Sequence, residues 1–372
     1  MKLHPSTYRN NSLKIIKSLF LTIFIFILSF KANTEIPEKY KIKSSLPKCT
    51  GTDYKIWTNC YGEYEFPRIE YKGEWKNGAF HGQGILKEAW GGIYIGGFKN
   101  NLAHGFGKQE EKDGSWWEGE IKDDKLHGKA IYVSFDGTIY EGDFFEGFLH
   151  GQGVFTRLDG TKASGEFKKD YLNGQGKWKY PNGDIAIGNF KQDQLNGYGV
   201  YTWAIGDKYE GNWVDGLKSG KGKISFRTGE FFEGNFSKDL RNGKGKMIYE
   251  NGDVYDGFWK NGIRNGHGKY FYENGNKFQG LWKNGLEEGR GVFIWSDGDK
   301  YEGNWMDGYR SGKGKYTYES GTVYEGDFKN NVAEGNGIIN YADGTEYIGE
   351  FKNGDENGQG SITYPNGDKY VG

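Results

Sequence analysis

His81, His104, His127 and His150 recur every 23 residues, each just ahead of a Gly-x-Gly triplet. Imidazoles at a fixed interval invite a metal reading, because zinc takes His nitrogens at about 2.1 Å. The triplet itself, as in Gly243-Lys244-Gly245, is the kind of loop that cradles phosphate when a helix N-terminus follows. Acids are periodic too. Asp184, Asp253, Asp299 and Asp368 each follow an Asn-Gly or Asp-Gly pair and hint at calcium oxygens. Glu118, Glu141, Glu210, Glu233, Glu302 and Glu325 form a column that could imitate a glycosidase carboxylate pair. Aromatic residues make up 17% of the chain and could stack on sugars or peptide rings if they lined an open groove.

What these residues can do depends on the elements that hold them, and those elements repeat. The glycine of a Tyr-x-Gly triplet falls at Gly73, Gly96, Gly119, Gly142, Gly165, Gly188, Gly211, Gly234, Gly257, Gly280, Gly303, Gly326, Gly349 and Gly372, always 23 residues apart. An unbroken register over thirteen intervals marks a repeat architecture in which units bury a face against their neighbours. Within Gly243 to Trp259, even columns are apolar or Gly and odd columns are polar or mixed. Strict alternation is the period of a strand with one buried face, so two strands join at Glu250-Asn251-Gly252. That loop has the chemistry of a type I turn followed by Gly in the left-handed region, which pairs Tyr249 with Asp253 and keeps Tyr249 and Tyr255 on one face. The same register sets Lys108 opposite Glu118, Lys223 opposite Glu233, Lys246 opposite Asp256, Lys315 opposite Glu325, Ile85 opposite Ile95 and Ile338 opposite Ile348, while Val200 faces Glu210.

The predicted core is two aromatic columns. One runs Tyr71, Tyr94, Trp117, Tyr140, Tyr209, Phe232, Tyr255, Phe278, Tyr301, Tyr324, Tyr347 and Tyr370, interrupted by Ala163 and Ala186. The other runs Trp75, Phe98, Phe144, Phe167, Phe190, Trp213, Phe236, Trp259, Trp282, Trp305, Phe328 and Phe351, with Ile121 the exception. Gly always separates the two, so that rings from adjacent strands lie across bare backbone. On this scaffold the candidate chemistry recedes. Neighbouring His copies lie one hairpin, about 9.6 Å, apart and cannot share an ion. Their column continues as Asn173, Asn196, Ser219, Asn242 and Asn265, a small polar loop position. A strand follows Gly-x-Gly where a cradle needs a helix, the aspartates open strands, and the glutamates sit on a solvated side facing lysines.

The pattern Tyr-Glu-Gly-x-Trp/Phe-x-x-Gly followed by Gly-x-Gly, as in Tyr301 to Gly308 and Gly312 to Gly314, resembles the MORN (membrane occupation and recognition nexus) repeat from Tyr71 to Gly372, about four-fifths of the chain. Ala163, Ala186 and Ala130 depart from it locally. The resemblance implies an elongated, single-layered, all-β array of about thirteen stacked hairpins. It also implies assembly: such arrays organise complexes at membranes, dimerise, or sit beside an enzymatic domain. Cys49 to Asp53 and Trp57 to Gly62 resemble the leader before the array in bacterial members.

Around the array, Lys2, Arg9, Lys14 and Lys17 precede an apolar run from Ser18 to Phe30. Thirteen residues match a signal-peptide core and fall short of the roughly 20 that span a bilayer. Residues 1–32 therefore read as a signal peptide, with an uncleaved N-terminal anchor as the alternative, and the chain as exported, periplasmic or secreted. Residues 33–70 do not repeat and hold Cys49 and Cys60, which suggest either a disulfide in an N-terminal cap, worth roughly 3 kcal/mol, or two free thiols. Thirteen hairpins from residue 71 to 372 predict a rod on the order of 120 Å. The last strand ends inside a motif, at an edge covered by a partner or belonging to a fragment. Lys plus Arg at 49 against Asp plus Glu at 50 leave no net field for nucleic acid. The expectation is a scaffold or protein-binding module with no catalysis, cofactor or metal of its own, whose partner is an unknown protein or a second copy of the chain in a homodimer. Phospholipid binding is one alternative, and sugar or peptide binding through an exposed aromatic groove is another.

Overall fold

The computed structural model describes residues 42–372. The expected signal or anchor segment lies outside the described residues. Among those described, the chain is all β, with 28 strands and one short 3-10 turn at Tyr54–Ile56. It divides into two compact units, Met1–Gln194 and Leu195–Gly372. Within each, successive strands pair antiparallel as a meander.

One repeat shows why the chain folds this way. Strands Leu240–Ile248 and Val254–Lys260 meet at the expected turn: the Tyr249 amide donates to the Asp253 carbonyl at 2.9 Å and the Gly252 amide to the Tyr249 carbonyl at 3.0 Å. Gly252 sits at φ +90°, and the Asn251 side chain accepts from the Asp253 amide at 3.1 Å. The register follows, with Lys246 opposite Asp256, Lys223 opposite Glu233, Lys315 opposite Glu325 and Val200 opposite Glu210.

A second turn then leads to strand Ile263–Phe271. It is the two-residue type, with Asn261 at φ +51° and Gly262 at φ +85°, the left-handed pair that matches strand twist. Beyond it the ladder slips: Trp259 pairs with Arg264 and Gly257 with Gly268, so Phe258 stands against three residues. The bulge turns on Gly266 at φ +100°.

The two glycines of Gly-x-Gly thus have different causes. Gly266 supplies a backbone conformation, whereas Gly268 supplies room. A Cβ on Gly268 would lie 2.4 Å from the Tyr255 hydroxyl and 2.5 Å from its ring. The expectation that rings of adjacent strands cross bare backbone is half right, because Tyr255 covers Gly257 of its own strand as well as Gly268 of the next. Folded down in this way, its hydroxyl donates to the Phe258 carbonyl at 3.0 Å. Its ring meets Trp259 at 5.1 Å and Trp282 of the following repeat at 5.4 Å, both edge to face. Such pairs contribute about 0.5–1.5 kcal/mol each beyond burial.

The same arrangement recurs at Tyr71, Tyr140, Tyr209, Tyr301, Tyr324 and Tyr347, all buried, with Trp75, Phe144, Trp213, Trp305, Phe328 and Phe351 beside them. Departures are local. Where Ala130 replaces the second glycine, Trp117 cannot lie flat and is half-buried. Where Ala163 stands in place of the tyrosine, Leu172 lies over Gly176 instead, both Ala163 and Leu172 being fully buried. Tyr370, on the last described strand, is 64% exposed.

The expected charge pairs are in register but mostly not in contact. Lys315 reaches Glu325 at 3.6 Å. Lys108 turns to Glu110 on its own strand at 3.0 Å, and Lys223 lies 4.8 Å over the Phe231 ring. On an exposed face a lysine gains as much from a neighbour two residues along as from the one across, so register does not select the partner.

At the N-terminal end, Cys49 and Cys60 are joined by a disulfide with an S–S distance of 2.08 Å. Strand Cys60–Glu65 turns back at Pro67-Arg68, the Phe66 amide donating to the Ile69 carbonyl at 2.8 Å. The boundary expected at residues 70/71 falls inside strand Ile69–Lys76, so the cap's hairpin and the first repeat share a strand. Trp57 packs edge to face on Trp75 at 5.1 Å and closes the end of the aromatic stack.

Candidate binding faces

The residues that suggested chemistry from the sequence occupy separate structural posts. His104 pairs with Asp123 at 3.2 Å, while the His127 and His150 rings flank Phe145 at 5.0 and 5.5 Å. Among the described residues no group of three or more His, Cys, Asp or Glu is placed to hold a metal ion. The strand-opening aspartates tie one repeat to the next. Asp253 accepts from the Glu273 amide at 2.8 Å and the Tyr270 hydroxyl at 2.7 Å; Asp299 accepts from the Glu319 amide at 2.9 Å and the Tyr316 hydroxyl at 2.5 Å. Glu210 takes the Tyr198 hydroxyl at 2.6 Å and Lys208 at 3.2 Å, which hold its carboxyl below the usual range. Gly-x-Gly opens no helix.

A column that sequence reasoning missed lies in the two-residue turns. Asn101, Asp124, Asp170 and Asp193 in the first unit accept from the amides of Phe80, Ala103, Leu149 and Leu172, each 21 residues earlier, at 2.7 to 3.0 Å. In the second unit Asp239 and Asn331 do the same for Lys218 and Arg310, at 2.9 and 2.8 Å. The turn's own amide returns the bond, as from Asp193 to the Leu172 carbonyl at 3.1 Å, making a two-bond clasp between successive turns. Burial pushes the Asp193 carboxyl up to about 6. The signal was legible as Asn or Asp wherever that turn lacks its glycine.

Each unit then presents two faces. The two aromatic columns are buried, as expected of the core, and line no stacking groove. In the second unit a different aromatic column, just before the three-residue turns, is half-buried to exposed: Trp203, Phe226, Tyr249, Tyr272, Trp295 and Tyr318. Arginines lie among these rings. Arg264 sits 4.3 Å over Trp282 and 5.0 Å from Tyr270 while donating to the Gly285 carbonyl at 2.8 Å, and Arg310 sits 5.1 Å from Tyr316. The same column in the first unit carries Leu126, Leu149 and Leu172.

The opposite face carries the odd columns and is troughed in both units. In the first, Phe106, Trp116, Ile131, Val154 and Ile187 with Glu118 and Glu141 line an open groove of about 1130 Å³. Paired glycines such as Gly142 and Gly153 form its floor. Phe106 is 60% exposed there. In the second unit a groove of about 500 Å³ is lined by Lys244, Phe258, His267, Arg290, Asp256 and Glu302 among others.

Thirteen consecutive segments, from residues 71–92 to residues 347–369, match the MORN repeat. The chain belongs to the MORN repeat family. Its matched segments cover the described sheet from strand Ile69–Lys76 onward, and the repeats are the unit in which both faces are built. No curated protein matches the chain. Among solved structures, the Drosophila melanogaster SAS-4 TCP domain in complex with a proline-rich motif of Ana2 is 21% identical, covering 41% of this chain and 83% of that one at a TM-score of 0.27. The Danio rerio CPAP TCP10 domain in complex with a STIL peptide is 12% identical, covering 65% and 97% at a TM-score of 0.31. Virginiamycin B lyase from Staphylococcus aureus is 12% identical, covering 69% and 90% at a TM-score of 0.14. At these scores none of the three bears on what this MORN protein does. Among the described residues no helix is long and apolar enough to cross a membrane.

Proposed function

We propose that this MORN protein is a non-catalytic scaffold that binds a protein partner along its open faces, is exported, and self-associates. The observation that carries the reading is the groove of about 1130 Å³ in the first unit, where exposed Phe106 and the side chains of Ile131, Val154 and Ile187 stand on a glycine floor beside Glu118 and Glu141. Apolar anchors ringed by charge on a rigid sheet are the composition of a protein-binding patch. Export rests on the basic N-terminus followed by the apolar run Ser18 to Phe30 and on a cysteine pair joined as a disulfide. The destination is the periplasm or the medium, or the inner membrane surface if the apolar segment is retained.

The test uses the full chain, immobilised, with cross-linking and mass spectrometry of what it retains from its own host. A partner held by the parent chain and lost on the triple change Phe106→Asp, Ile131→Asp and Val154→Asp supports the reading. No retained protein, or the same set retained by the variant, overturns it. Light scattering reads self-association directly, and a monomer at all concentrations removes that part.

A further inference from the structure

The second unit carries a lane of basic side chains whose cross-strand partners hold no carboxylate, although Asp256 and Glu302 line the same groove and Glu302 is held below the usual carboxylate range by Lys300 and in part by Arg290. Lys221, Lys244, His267 and Arg290 occupy one column of four successive repeats, all exposed on the solvated face. Their partners across the ladder are Asn235, Phe258, Leu281 and Asn304, with no carboxylate among them. Among the described residues Lys221, Lys244 and Arg290 make no ion pair; the first acid in the lane is Asp327, which holds Lys313 at 2.9 Å. The lane follows the bulges, where each strand bends, and its centre is the floor and wall of the groove of about 500 Å³. Phe258 is 47% exposed in it.

Steps along the lane are regular. Neighbouring strands are about 4.8 Å apart, so the basic positions recur about every 9.6 Å with an apolar or amide side chain halfway, the fixed charges being those of Lys221, Lys244 and Arg290. A polyproline II segment has three residues per turn and rises about 3.1 Å per residue, so every third residue returns to the same face about 9.3 Å on, close to the step of the lane. Resting on the scaffold reading above, we propose that this lane docks an extended acidic segment of a partner protein. The segment runs across the strands in the polyproline II conformation, with Asp or Glu at every third position facing the lane. A troughed face suits a single strand, whereas a bilayer surface would touch only its rims.

The experiment is fluorescence anisotropy of the full chain with a labelled Glu-Leu-Thr repeat peptide of about 15 residues, about 46 Å long in the polyproline II conformation. The expected result is saturable binding that weakens as salt rises from about 50 to about 300 mM, since exposed charges are screened over that range. Lys244→Glu with Arg290→Glu weakens it roughly tenfold or more, while Lys352→Glu, exposed and outside the lane, leaves it unchanged. Thermal melts confirm that the variants fold. Equal binding by the lane variant, equal binding of a Lys-Leu-Thr peptide, or binding to phosphatidylserine vesicles without binding to the peptide each overturns the proposal. Failure here with a partner still captured through the Phe106 groove leaves the scaffold standing. Loss of both captures removes it as well.

Discussion

Replacing Gly268 by alanine tests the packing argument at its centre. The new methyl would lie 2.4 Å from the Tyr255 hydroxyl and 2.5 Å from its Cε2, distances that no real Cβ tolerates, and the Gly257 Cα opposite leaves it no retreat. The Tyr255 ring must therefore lift. Lifting it forfeits the edge-to-face contacts with Trp259 and Trp282, about 0.5–1.5 kcal/mol each, and the hydroxyl bond to Phe258, about 0.5–1.5 kcal/mol. The sum is roughly 2–4 kcal/mol. The chain has already made a version of this change at Ala130, where Trp117 is half-buried and the Tyr94 ring stands tilted to it at 5.8 Å. Because repeats contact chiefly their neighbours, the loss appears as weakened hydrogen-exchange protection in strands Val254–Lys260 and Ile263–Phe271 and as a lowered urea midpoint. Gly266→Ala, where the nearest atom is the Phe258 Cβ at 3.1 Å and the cost is the φ of +100°, loses about 1–2 kcal/mol. A Gly268→Ala protein destabilised by less than about 0.5 kcal/mol, or less than Gly266→Ala, would refute the reasoning.

Three further outcomes follow from contacts already described. Asp193 has its carboxyl raised from 3.8 to about 6, so the folded chain binds more protons than the unfolded one between those values. That contribution, up to about 3 kcal/mol, is present below pH 4 and lost as pH rises through 6, read as faster exchange at the Leu172 amide. Asp193→Asn keeps the bond, as Asn101 and Asn331 do in the same column, and flattens the pH dependence. Reducing the disulfide between Cys49 and Cys60, which are 11 residues apart, costs about 3 kcal/mol and exposes the cap to protease before the repeats are cut. Arg264→Ala removes the guanidinium over Trp282 and its bond to Gly285, lowering stability by about 1–3 kcal/mol in urea titration, against near-neutral change for Lys260→Ala at an exposed turn.

The parts legible in the sequence were those that period alone determines. A 23-residue register with strict alternation placed Lys246 opposite Asp256 and put Tyr249 and Asp253 at the mouth of a left-handed-Gly turn, because pairing in a hairpin is fixed once the loop length is odd. Contacts that depend on where a side chain leans were not legible. Lys223 chose a ring over Glu233, and Tyr255 folded over its own strand, choices decided by local room and exposure. The bulge was hidden because Gly266 and Gly268 look alike in a triplet although one serves φ and the other space. The unpaired lane was hidden by counting: charges balance over the whole chain and along the Lys246 column, yet the column two residues earlier faces Asn, Phe and Leu.

The turn-to-turn clasp reaches 21 residues along the chain wherever it occurs, at Phe80 and Asn101 as at Arg310 and Asn331. A bond defined by a fixed offset does not record which repeat it belongs to. Deleting or duplicating a whole 23-residue block therefore keeps the strand register and the spacing of the turns, whereas the loss of a single residue shifts every contact that crosses it. In genetic terms the array tolerates recombination between its own copies, and its length is free to drift in whole units while each unit stays the same. A groove that spans several repeats then becomes a ruler whose reach is set by copy number, and a change of partner length needs no new contact chemistry.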